Sequence, residues 1–111
     1  MTDDRLTNTP EPFVTNPGAP VRVDDLMPGA RAWLALQASG RHFSTVHVVK
    51  YFAWRHLAAG PLQDVSERFG RLALDLIATI ADSPELTVAL RKLVESKDCA
   101  VRAMVDELAG D

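Results

Sequence analysis

Tyr51-Phe52-Ala53-Trp54-Arg55-His56 sets three aromatic rings beside a guanidinium and an imidazole within six consecutive residues. Rings next to cations are what a nucleobase-phosphate ligand requires, one surface to stack the base and one to pair with phosphate. In that chemistry Trp54 stacks on a base, Arg55, His56 and Arg71 lie near phosphate, and Tyr51 completes the aromatic surface. The same cluster suits a core or an interface equally well, because these rings are also the largest apolar side chains available for burial. Arg68 and Arg71, early in the next helical segment, either approach the cluster or stay solvated.

The second chemical feature is Lys97. Leu86, Ala89, Leu90, Leu93, Ala100, Val101, Met104, Val105 and Leu108 recur at three- and four-residue steps, and Lys97 falls on that stripe seven residues from both Leu90 and Met104. An ammonium there has three outlets: snorkelling to solvent, pairing with a carboxylate at a subunit contact, or holding an anion in a buried site. Arg91, Glu95, Asp98 and Arg102 follow at steps of four, three and four, the pattern of a solvated, charge-paired face. Arg91 and Lys97 join the candidate ligand-binding residues.

Catalytic motifs are missing. The sequence holds no glycine-rich phosphate loop, no His-Glu-x-x-His and no Gly-x-Ser-x-Gly, so no enzyme is expected. His42, His47 and His56 match no standard zinc spacing, and only Cys99 is available to join them, so neither metal nor other cofactor is expected. Cys99 has no disulfide partner within the chain, which fits a reducing compartment, and beside the apolar stripe it reads as a small buried hydrophobe.

The net charge of −3 argues against general DNA binding, which neutralises many phosphates. Its distribution is uneven: residues 1–40 sum to −2, residues 41–72 to +3 with all three histidines, and residues 73–111 to −4. No apolar run approaches the roughly 18 residues of a membrane span, and Met-Thr-Asp-Asp is not a signal peptide, so a cytoplasmic protein is expected.

The elements that must position these residues are helical. Residues 1–22, with Pro10, Pro12, Pro17 and Pro20, read as a flexible or extended arm before a helical domain spanning 23–111. Asp24 or Asp25 caps a short helix through Leu26 to Gln37, and Ala38-Ser39-Gly40 forms a flexible joint. Residues 43–57 fit strand and helix alike; a helix starting after Ser44 or Thr45 is favoured because no partner strand is nearby. Gly60-Pro61 starts one long helix and Ser83-Pro84-Glu85 starts another, giving an all-α chain whose residues 61–108 form a long antiparallel hairpin. So small a core points to self-association.

Across residues 52–105 the hairpin resembles the small phage-encoded anti-CBASS proteins that sequester cyclic oligonucleotides. Members show an aromatic Phe-x-Tyr-His element, a helix opening on an Arg-Tyr-like pair, and a second helix running from Ser-Arg-Glu through Leu-Ala-Leu-Thr-Lys-Leu-Glu-Glu-Ala. The corresponding residues are Phe52, Trp54 and His56, then Arg68 and Phe69, then Ser83, Pro84 and Glu85, followed by Ala89, Leu90, Arg91, Lys92, Leu93 and Glu95. Trp54 replaces the tyrosine, Arg55 is inserted before His56, Pro84 replaces the arginine, Asp98 and Cys99 stand at the later Met-Trp, and Ala73 stands at a mid-helix arginine. The resemblance implies a homo-oligomer, often a hexamer, holding cyclic di- or trinucleotides between subunits without cleaving them. The rival expectation is a phage or bacterial helical module that binds another protein through the aromatic patch and the proline-rich arm, with no small-molecule ligand.

Overall fold

Two proline-led starts organise the chain. Pro61 and Pro84 each occupy the first turn of a long helix, where the missing N–H removes no helical bond. A computed structural model describes residues 23–110, and among them every regular element is helical. A 3-10 turn, Val23–Leu26, leads to α1 (Arg31–Gln37) and α2 (Phe43–Val49); a second 3-10 turn, Lys50–Phe52, precedes α3 (Pro61–Thr79) and α4 (Pro84–Leu108). The arm assigned to residues 1–22 lies outside the described residues.

Ser83 caps α4 as its spacing predicts, its hydroxyl accepting the Leu86 N–H at 3.1 Å, while Glu85 and Asp64 place carboxylates in the first turns of α4 and α3. α3 and α4, joined by residues 80–83, pack on each other; α2 packs on both, the Lys50–Phe52 turn packs on α3, and α1 packs on α2 and that turn. Leu34, Val49, Phe52, Leu86 and Leu90 are wholly or almost wholly buried at the centre. Each such side chain contributes about 1.5–3 kcal/mol. Beyond Leu90 no residue of α4 is fully buried, so its first half anchors it.

The shorter elements depart from the sequence expectation. Pro28-Gly29 does more than weaken a first turn: Gly29 takes φ +91°, a left-handed conformation that separates the Val23–Leu26 turn from α1. α2 starts earlier than expected, at Phe43, because the His42 ring Nδ1 accepts the Ser44 N–H and serves as N-cap. It also ends at Val49 and does not continue to Leu57. Ala53 is extended, which carries Trp54 into the core, where its N–H donates to the Gly29 carbonyl at 2.9 Å. Ala38 is buried within a hydrogen-bonded turn, so that joint is a packed corner. Cys99 is exposed, not buried; its Sγ accepts from an Arg102 guanidinium N–H at 3.3 Å.

Candidate functional site

The segment after α2 lies across both long helices, and small residues let it approach. Ser66, Gly70, Ala73 and Ile77 form the buried stripe of α3. At Gly70 the Trp54 ring and the Phe52 carbonyl take the space a Cβ would need, and Gly29 gives the ring a second notch. Trp33 meets Trp54 edge-on at 6.0 Å, and the Arg71 guanidinium sits 5.2 Å from the ring centroid. The Arg55 N–H also donates to Gly29, and the Gln63 amide donates to the Trp54 and Leu57 carbonyls, tying the following turn to α3.

Trp54 is therefore the core residue of this cluster. It is 4% exposed and its faces are occupied, so the expectation that it stacks on a base is corrected: the ring is unavailable without unpacking the centre. Arg71, expected near phosphate, is committed to Trp54 and to Glu67, whose carboxylate accepts its Nε–H at 2.7 Å.

The available ring is Tyr51, 51% exposed. One turn earlier on α2, His47 meets it edge-on, with centroids 5.7 Å apart and planes at 78°. The Lys97 ammonium donates to the Tyr51 carbonyl at 2.7 Å and lies 3.7 Å from the Asp98 carboxylate. That contact explains a lysine on the apolar stripe: it satisfies a carbonyl at the end of a 3-10 turn and fixes the Tyr51 backbone to α4. None of the three outlets read from sequence included a main-chain acceptor within the same chain.

Arg55 and His56 are exposed in the turn beyond Trp54, and Arg68 is exposed on α3. Arg91 is exposed on α4 but six residues from Lys97, about 120° around the helix, and so lies apart from the Tyr51 surface. The structure thus pairs Tyr51 with Lys97 and Trp54 with Arg71. His47 was missed, although its four-residue step to Tyr51 on a helix was a usable signal.

A second polar cluster holds α2 to the turn between the long helices. Arg41 Nε–H donates to Asp82 at 3.1 Å, and its terminal nitrogens donate to the carbonyls of Ile77 and Ile80, capping α3. Asp82 accepts the His42 N–H and the buried Thr45 hydroxyl, each at 2.8 Å. The His42 N–H does most to hold the Asp82 carboxyl below its ordinary value of 3.8; partial burial opposes this, and Thr45 and Arg41 add to it. With Arg41 and Asp82 41 positions apart, no sequence periodicity announces the cluster.

Ser44 Oγ lies 2.9 Å from His42 Nδ1 and 3.2 Å from Thr87 Oγ1. This contact is part of the α2 cap and not an oriented nucleophile-base pair: Nδ1 already accepts a backbone N–H, and Asp82 engages the His42 main chain, not its ring. Among the described residues no group of three or more His, Cys, Asp or Glu side chains is placed to hold a metal ion, and no helix is long and apolar enough to cross a membrane. What the Tyr51 surface offers is stacking beside positive charge. Comparison of the chain with family models, curated proteins and solved structures finds no match.

Proposed function

We propose that this chain is a non-enzymatic sequestering protein that holds cyclic di- or trinucleotides and so withdraws the second messenger of CBASS-type antiphage signalling. The observation that carries the reading is the exposed Tyr51 ring, braced by His47 and fixed beside Lys97, on the segment of the chain with a charge surplus of +3. A base stacked on such a ring gains about 1–3 kcal/mol, and a phosphate gains from nearby cations. Tyr51 takes the stacking role, with Arg55 and His56 of the following turn near phosphate. α3 and α4 serve as the antiparallel hairpin of a homo-oligomer, whose other copies close the ligand in. Capture without turnover lowers free messenger by mass action and needs abundance and affinity only.

The test is to purify the chain from a cell making cyclic nucleotides, denature it by heat, and weigh what is released. Intact cyclic dinucleotide or trinucleotide in near-stoichiometric amount supports the proposal. Linear products would show cleavage, and an empty supernatant, followed by no binding across a panel of such ligands, would refute it. One observation favours the rival reading of a protein-binding module: Phe43 is 78% exposed, tilted over the His42 ring 4.5 Å away, in the manner of an aromatic anchor. That reading requires a stable protein partner in pull-downs and no released ligand.

A further inference from the structure

The outer face of α4, opposite buried Leu90, carries a charge pattern that inverts about its midpoint. Lys92, Cys99 and Asp106 lie seven residues apart on one stripe, and all are exposed. Arg91 and Glu107 stand eight residues either side of Cys99. Among the described residues none of these four charged side chains makes an ion pair. Between them, Ser96, Cys99 and Ala103 are small and exposed, so another helix could approach to about 8 Å.

We infer that this face binds a second copy of the chain, the two α4 helices running antiparallel about a two-fold axis beside Cys99. The axis places Lys92 opposite Asp106 of the second copy, a pairing that occurs twice because such a contact is isologous; Arg91 flanks that Asp106, and Glu107 flanks the second copy's Lys92 on the other side of the seam. Nearer the axis, Glu95 lies on the same flank as Arg102 of the second copy, so unlike charges face each other there too. Parallel packing of the same face would set Lys92 against Lys92 and Asp106 against Asp106, so the charges select the antiparallel arrangement. Small residues at the centre and complementary charges at both ends argue for a copy of this chain as the occupant. This contact goes beyond the nucleotide reading and does not rest on it, because a dimer of this kind forms with or without ligand.

Charge reversal with rescue tests it. Arg91→Glu/Lys92→Glu and Asp106→Lys/Glu107→Lys are made in the full chain, and mass is followed by light scattering, with helicity checked by circular dichroism. Each variant alone dissociates about tenfold or more readily than the parent, as expected when the exposed charge attractions at both ends of the contact become repulsions. An equimolar mixture regains the parent's association, because each altered end then meets its complement. Bismaleimidoethane, in which each Cys99 thiolate adds across one maleimide double bond without oxidation, captures the dimer in the parent and the mixed dimer in the mixture. A parent that is monomeric at high micromolar concentration, variants that associate as the parent does, or a mixture that stays dissociated would each overturn the inference. If a double variant loses helicity, the single exchanges Lys92→Asp and Asp106→Lys carry the same test.

Discussion

Gly70→Ala separates two opposed effects of known size. In the interior of α3, alanine is a better helix former than glycine by about 0.8–1 kcal/mol, so propensity alone makes the substitution stabilising. The added methyl, however, would lie 2.5 Å from Trp54 Cε3 and 2.9 Å from the Phe52 carbonyl oxygen, closer than real Cβ contacts run. The ring cannot retreat, because Gly29 and Trp33 bound it and Phe52 is fully buried. Forcing a methyl into such packing costs about 1–3 kcal/mol or more, beyond the propensity gain when backbone is among the obstacles. The net expectation is a loss of about 1–2 kcal/mol, or roughly 4–16 °C in Tm for a domain of this size. Urea denaturation followed by far-ultraviolet circular dichroism measures it without relying on tryptophan emission. Repeating it with Trp54→Phe, which removes the second ring, should shrink the cost of Gly70→Ala, since residues in contact couple. A variant more stable than the parent by about 1 kcal/mol, with no coupling to Trp54→Phe, would mean that Trp54 does not occupy the Gly70 notch.

Other substitutions probe the remaining contacts. Lys97→Met keeps the stem and removes the ammonium that serves the Tyr51 carbonyl; a loss of about 1–2 kcal/mol is expected in urea titrations, and an unchanged midpoint would count against that bond. Ser83→Ala removes the α4 cap and should cost about 1 kcal/mol by the same assay. Asp82 sets an acid dependence with a defined sign: its folded carboxyl holds its proton less tightly than the unfolded one, so its contribution is complete above about pH 5 and is lost as pH falls through and below 3.8. Melting temperatures measured from pH 6 to pH 2 should therefore fall more steeply for the parent than for Asp82→Asn, and parallel curves would contradict the assignment.

What the sequence revealed divides along physical lines. The starts of α3 and α4 were legible because Gly60-Pro61 and Ser83-Pro84-Glu85 act locally, through a preset φ, a missing N–H and a capping hydroxyl. The fate of each ring in Tyr51-Phe52-Ala53-Trp54 was not, because it depends on notches at Gly29 and Gly70, distant in sequence on either side. Burial of Trp54 and exposure of Tyr51 follow from the extended backbone at Ala53, which propensity does not anticipate. Cys99 misled for a related reason: the apolar stripe of α4 continues past its last buried residue, Leu90, so position beside the stripe did not guarantee burial. Arg41 and Asp82 meet only through the tertiary fold.

The nucleotide reading now turns on one ring. Calorimetric titration of the purified chain with a panel of cyclic di- and trinucleotides, beside Tyr51→Ala, tests it most directly. The account predicts saturable binding of at least one ligand by the parent and an affinity about tenfold or more weaker for Tyr51→Ala at unchanged helicity, the scale of one lost base-aromatic stack. No heat with any ligand, or equal affinity in the two proteins, would contradict it.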